Sequence, residues 1–330
     1  MDSSGGLEQA LPSEMAIVDF DHSLEILKSE DVLGLPTETV YGLAARIDSE
    51  KALRKIFSTK KRPFFDPLIV HLAEDFSPRD LTSEWSPLYE ALAEKFWPGP
   101  LTLIAPKNQR ISDLITAGLP DVGLRKPSHP LAQKVLKALG IPLAAPSANM
   151  FGKTSPTAAA HVEEEFQGKV AVLDGGGAEI GVESTVVRYE PAEKTLFILR
   201  PGFISKRKLM EVAKDFSVKV TEGASAASPG QLKAHYQPKA PVVLEFTEDT
   251  ELSSSRKTFL EERLEKKNLR WQTLKLPEKP EWAARVLYGQ LRELSREENS
   301  AIWIPSSKVH QKEEWVMILD RLTRAASLVV

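Results

Sequence analysis

The stretch Pro130-Leu-Ala-Gln-Lys-Val-Leu-Lys-Ala-Leu-Gly-Ile-Pro-Leu-Ala-Ala-Pro-Ser-Ala-Asn149 sets the fold class. Apolar residues at 131, 132, 135, 136 and 139 recur with helical period behind a proline suited to a first turn, and Gly140 stops the helix. The apolar run 142–145 then reads as a strand that opens into the polar loop Pro146-Ser-Ala-Asn149. Helix, strand and polar loop in this order are the unit of an α/β sheet. Outward from it, strands at 68–72, 101–105, 122–124, 170–173, 185–189 and 195–199 alternate with helices at 24–29, 50–57, 87–96, 158–166 and 205–212. The last part of the chain alternates again: strand 242–246, helix 255–266, strand 271–275, helix 281–295, strand 301–304, helix 313–327. That order predicts a second, small parallel sheet.

Glycine usage marks the boundary between the two regions. Only Gly289 of the 18 glycines lies beyond position 241, whereas four of the six tryptophans (Trp271, Trp282, Trp303, Trp315) do. Between the regions runs Thr221-Glu-Gly-Ala-Ser-Ala-Ala-Ser-Pro-Gly230, too poor in apolar surface to form a core. The predicted organisation is a tail at 1–15, an α/β domain at 16–216, a linker at 217–241 and a second α/β domain at 242–330. The tryptophans read as core or edge anchors of that second domain.

With 43 Lys+Arg against 46 Asp+Glu, the chain has no general attraction for nucleic acid or anionic lipid, so any anion site is local. The absence of cysteine excludes disulfides, thiolate nucleophiles and cysteine-ligated zinc or iron–sulfur centres. The six histidines are scattered without metal-ligand spacing, so no protein-built metal site is expected. Residues 1–15 lack the features of a signal peptide and no run approaches the ~20 apolar residues that span a bilayer. A cytoplasmic protein without membrane contact is the expectation. There is no G-x-x-x-x-G-K-[ST], and Gly175-Gly-Gly177 does not extend into G-x-G-x-x-G, which disfavours both common nucleotide-binding loops.

Five polar segments follow apolar strands or sit in loops where side chains can converge: Pro36-Thr-Glu-Thr-Val-Tyr-Gly42, Lys60-Lys-Arg-Pro63, Gly123-Leu-Arg-Lys-Pro127, Pro146-Ser-Ala-Asn149 and Glu183-Ser-Thr185. Strand ends are where open α/β sheets hold ligands. Taken singly, Lys60 to Arg62 read as a solvated charge run, His71 as a core histidine and Ser155 as a helix N-terminal residue.

Their order and spacing resemble the threonylcarbamoyl-AMP synthase family in its long form. The resemblance runs from about residue 17 to 238 through Leu35-Pro-Thr-Glu-Thr-Val-Tyr-Gly-Leu43, Lys60-x-Arg62-Pro, Pro67-Leu-Ile-Val-His71, Trp97-Pro-Gly-Pro-Leu-Thr102, Val122-Gly-Leu-Arg125 and Ala145-Pro-Ser-Ala-Asn149. It continues through Ser155-Pro-Thr157, Asp174-Gly-Gly, Gly181-Val-Glu-Ser-Thr-Val-Val187, Leu199-Arg-Pro-Gly202 and His235-Tyr-x-Pro238.

The resemblance implies a YrdC-like twisted open mixed sheet flanked by helices, followed by a small Rossmann-like α/β C-terminal domain. It implies a nucleotidyltransferase that condenses L-threonine, bicarbonate or CO2 and ATP into threonylcarbamoyl-AMP and pyrophosphate, with Mg2+ on the phosphates. The product would pass to the tRNA threonylcarbamoyl transferase for t6A formation, with no direct tRNA contact required. Carried over by position, Lys60, Arg62, Ser147, Asn149, Ser155, Arg200 and Tyr236 are the ATP-side residues, with Lys60 and Arg62 also catalytic. Thr39, His71, Arg125 and Ser184 are the threonine-side residues, Arg125 being the partner for the amino-acid carboxylate. The linker is implied to fold over the loaded site.

Three departures stand out. Asp66 replaces the family's common Asn and Asp121 its Thr or Ser, and a carboxylate beside phosphates repels them, so neither contact is carried over. The linker reads Gln231-Leu-Lys-Ala234 where more basic residues are common. Trp97-Pro-Gly-Pro100 reads as a rigid turn with an aromatic anchor. Two other functions remain open on sequence: the related carbamoyl-adenylate-forming module of hydrogenase maturation, and a non-catalytic protein that binds double-stranded RNA.

Overall fold

The computed structural model describes residues 16–223 and 235–330. The expected tail at 1–15 and residues 224–234 of the expected linker lie outside the described residues. Eleven strands form one mixed sheet in the spatial order Ile17–Val18, Val172–Leu173, Leu33–Leu35, Gly42–Arg46, Leu143–Ala144, Ile69–His71, Asp121–Arg125, Leu101–Pro106, Thr185–Glu190, Thr195–Arg200, Lys219–Glu222. The order has two ends, so the sheet is open, and parallel and antiparallel neighbours are interspersed. Helices flank it as predicted, among them Glu50–Lys60, Pro87–Phe96 and Pro130–Leu139. Each helix start has its local reason: Ser49 and Ser86 cap through their hydroxyls, and Pro87 and Pro130 occupy first-turn positions.

Strands Leu33–Leu35 and Gly42–Arg46, which bracket the Pro36–Tyr41 motif, escape sequence inspection. They are short and hold no β-branched residue, so propensity is silent and tertiary pairing makes them. The start of the expected linker also needs correcting. Lys219–Glu222 is a strand paired in parallel with Thr195–Arg200, from Thr195↔Lys219 to Ile198↔Glu222. The first domain's sheet therefore extends to residue 222, because the alternating Lys-Val-Thr-Glu run completes an open edge.

The second domain has four strands in the order Arg270–Thr273, Ser300–Pro305, Val242–Glu245, Leu328–Val329, all parallel. Trp303 and Trp315 are buried in it and Trp271 packs on its edge, as expected of anchors, while Trp282 is exposed. One apolar cluster crosses the domain boundary. Val40 and Val182 of the first domain and Tyr236 of the connecting segment pack with Leu287, Tyr288, Ile318 and Leu322 of the second. The second domain thus sits directly against the loops at the strand ends.

Candidate active site

Those loops close around a cleft at the rim of the sheet, where open α/β sheets hold ligands. Of the residues named from sequence, Thr39, Arg62, His71, Arg125, Ser147, Ser184, Arg200 and Tyr236 line it. Lys60, Asn149 and Ser155 stand behind the wall.

The helix Glu50–Lys60 ends on Lys61 in the left-handed conformation (φ 50°), which turns the chain so that Lys60 points inward and Arg62 reaches the cleft. The Lys60 ammonium donates to the carbonyls of Ser147 and Asn149, tying the helix end to the polar loop. Burial, and Arg62 beside it, hold its pKa well below the usual lysine value. Asn149 donates through Nδ2 to the carbonyls of Met150 (2.8 Å) and Lys153 (2.9 Å), leaving Oδ1 buried without a protein partner. Arg62 donates to the carbonyls of Asp66 (3.1 Å) and Pro67 (2.9 Å). Its Nη2 also pairs with the Asp66 carboxylate at 2.8 Å. The charge of Asp66 is therefore balanced by an arginine of its own loop. Asp121, at the outer end of its strand, pairs with Arg188 at 3.1 Å and does not line the cleft.

Arg125, at the inner end of the same strand, donates to Glu38 Oε1 (2.6 Å), Thr39 Oγ1 (2.9 Å) and the Gly99 carbonyl (3.2 Å). The turn Trp97-Pro-Gly-Pro100, read as purely structural, thus supplies one support of the site, while Trp97 Nε1 anchors to the Leu101 carbonyl at 2.7 Å. His71 lies at the end of Ile69–His71, its Nδ1 3.3 Å from the Ile69 carbonyl. Burial, and secondarily Arg125, push its pKa down to about 3, so the ring is neutral. Ser184 joins the two expected residue sets: its hydroxyl accepts from Arg200 Nη2 (3.0 Å) and bonds Thr102 Oγ1 (2.8 Å).

Glu183 belongs to a quoted segment but had no role from sequence, and it is the hub of the wall. Ser155 Oγ donates to its Oε1 at 2.6 Å, Tyr288 OH donates at 3.0 Å, and Arg321 Nε donates to its Oε2 at 3.0 Å. Burial alone would raise its pKa, yet Arg321, Arg200 and the Ser155 hydroxyl hold it at about 2. Glu38, Tyr288 and Arg321 were likewise unassigned. Arg321 leaves no local signal, because a charged residue on an amphipathic helix reads as solvated.

Tyr236 is 1 % exposed, with its hydroxyl buried and unpartnered at the cleft, and burial pushes its pKa up to about 12. Among the described residues no cluster of His, Asp or Glu has the makings of a metal site.

Comparison with known proteins agrees with this geometry. A family model described as Telomere recombination (the Sua5, YciO and YrdC group) matches residues 25–202, and the model of the threonylcarbamoyl-AMP synthase C-terminal domain matches 204–327. The chain is 42% identical to Bacillus subtilis threonylcarbamoyl-AMP synthase over 66% of its own length, an alignment that spans 64% of that relative. It is 32% identical to the Schizosaccharomyces pombe threonylcarbamoyl-AMP synthase over 94% of this chain and 88% of that one. The crystal structure of P. abyssi Sua5 complexed with L-threonine superposes with a TM-score of 0.81 at 31% identity, covering 95% of this chain and 99% of that chain. With both domains matched in order and along nearly the whole chain, this protein belongs to the threonylcarbamoyl-AMP synthase family.

Proposed function

We propose that the protein is an L-threonylcarbamoyladenylate synthase that condenses L-threonine, bicarbonate or CO2 and ATP. The threonine amine forms a carbamate with CO2, a carbamate oxygen attacks the α-phosphorus in line, and pyrophosphate leaves. The observation that carries this is the meeting in one cleft of two kinds of anion receptor. On one side stand Arg62, Arg200 and the Lys60-anchored loop with Ser147 and Asn149, suited to phosphate oxygens and a base. On the other stand Arg125, Thr39, Ser184 and a neutral His71, suited to an amino acid.

Each guanidinium is held by carbonyls or side chains before any ligand arrives, so donors face developing charge without reorganisation. Bringing carbamate and triphosphate together is chiefly a positioning task. No covalent enzyme intermediate is required. Ser155 acts in this scheme through Glu183, and Tyr236 closes the cleft on the nucleotide side. Magnesium enters as part of the Mg–ATP substrate, without protein ligands. The P. abyssi structure with L-threonine supports the amino-acid half of the assignment.

The cleft cations also weigh against a groove for duplex RNA: Lys60, Arg62, Arg125 and Arg200 are all under 9% exposed. Delivery of the adenylate to a tRNA threonylcarbamoyl transferase, in the cytoplasm, belongs to the same proposal. No helix among the described residues is long and apolar enough to cross a membrane. Purified protein should release pyrophosphate from Mg–ATP only when threonine and bicarbonate are both present. Equal release with threonine omitted sinks the assignment.

A further inference from the structure

The second domain reaches into the cleft wall at one point. Arg321, on helix Val316–Ala325, is fully buried and spends its donors on Glu183 Oε2 (3.0 Å), the Pro201 carbonyl (2.6 Å) and Asp320 (3.0 Å). Its guanidinium also lies 5.6 Å from the centre of the Tyr236 ring, which has the His235 ring edge-on at 4.1 Å and the Tyr288 ring stacked at 5.7 Å. The approach of the two domains is tight. Gly181, two residues before Glu183, has φ +81°, and a Cβ there would lie 2.5 Å from the Ala284 carbonyl oxygen and 2.6 Å from Arg285 Cα. No side chain fits between this loop and helix Pro280–Leu294.

An interdomain clamp would explain an ion pair in any buried place. The place here has a chemical consequence, because Glu183 lines a cleft built for anions. An unpaired carboxylate there would repel polyphosphate and draw on Arg200 next to it, which holds Ser184. Arg321 meets that charge from behind, leaving the other Glu183 oxygen to receive Ser155.

We propose that Arg321 is a positioning residue for nucleotide binding, supplied by the second domain: it neutralises Glu183 from behind the cleft wall and forms, with Tyr288, the seat of the Tyr236 ring. This deepens the proposed reaction and rests on the cleft receiving ATP. In the full chain, Arg321→Gln should raise the KM for ATP about tenfold or more, the scale of one lost charge-assisted contact, and change the threonine KM far less. Arg321→Lys should recover part of the loss. The double variant Arg321→Gln with Glu183→Gln should recover ATP binding relative to Arg321→Gln alone, because the uncompensated charge is gone.

A clamp without this role would lower both affinities together and gain nothing from the second substitution, which overturns the proposal. So would an unchanged ATP KM in a folded Arg321→Gln protein. Should Arg321→Gln fail to fold, the comparison of Arg321→Lys with the double variant decides by the same criterion. Direct calorimetry with a non-hydrolysable ATP analogue reads the effect independently of turnover. A wild type that binds the analogue without threonine-dependent pyrophosphate release would disprove the reaction and leave the Arg321 test standing.

Discussion

Glu38 Oε1 lies 2.6 Å from Arg125 Nη2, and neither side chain is more than 5% exposed. The guanidinium assigned to the threonine carboxylate is therefore already oriented by an internal carboxylate, by Thr39 and by the Gly99 carbonyl. Three fixed contacts hold its plane, whereas lysine offers a single point charge. Both Arg125→Ala and Arg125→Lys should weaken threonine binding by roughly ten- to a hundredfold, the worth of a charged hydrogen bond, with less effect on ATP. Arg62→Ala should do the reverse. Calorimetric titration of each ligand checks the division, and equal losses for both ligands in all three variants would remove it.

Threonine differs from serine by one methyl group. Val40 and Ala145 line the cleft and offer the apolar contact, whereas Leu43 is fully buried in the core. One methyl in an apolar contact is worth roughly 1–3 kcal/mol, so threonine should outcompete serine by about ten- to 200-fold in kcat/KM. A mixed-substrate assay that yields more serine product refutes the placement of the contact.

Lys60 ties the end of its helix to the polar loop through the carbonyls of Ser147 and Asn149. Ser147 lines the cleft, so Lys60→Met should release that loop and weaken ATP binding by roughly tenfold or more, the worth of a charged hydrogen bond, with less effect on threonine. Calorimetric titration of both ligands checks it. An unchanged ATP affinity in a folded Lys60→Met protein would remove Lys60 from the nucleotide side.

His71 and His235 are both pushed down to about 3, chiefly by burial, from an ordinary 6.5. Because the folded values lie below the unfolded ones, the unfolded chain binds more protons between them. Stability from these residues is fully present above about pH 6.5 and falls towards pH 3, by at most ~1.4 kcal/mol per pH unit for each histidine. Urea midpoints measured from pH ~7.5 down to ~5 should decline, and the decline should flatten in His71→Asn. For the same reason the activity profile should show no step from His71 near neutrality. A pH-rate inflection that disappears in His71→Asn contradicts a neutral ring.

The class of the fold was legible because its signals are local. The periodicity of 130–139 and the capping serines and prolines depend only on neighbours along the chain, and helices Pro87–Phe96 and Pro130–Leu139 begin and end where that pattern does. Much of the site was legible as well. Lys60, Arg62, Arg125, Ser147 and Ser184 each sit in a distinctive string of residues, and strand ends gather such strings on one rim. Strands Leu33–Leu35 and Lys219–Glu222 were not legible, since short segments become strands only when an edge offers partners.

The charge balance of the cleft is a further step removed from the sequence. Asp66 looked like an intruder among phosphate ligands until folding placed it against Arg62, and Asp121 until folding placed it beside Arg188, away from the cleft. Glu183 and Arg321 lie 138 positions apart, and no local pattern in either segment points to the other. Sequence alone determined which cations and donors the protein owns and the strands that carry them. Tertiary structure decided which carboxylate each cation answers, because the cost of burying a charge is settled by what stands within a few ångströms of it.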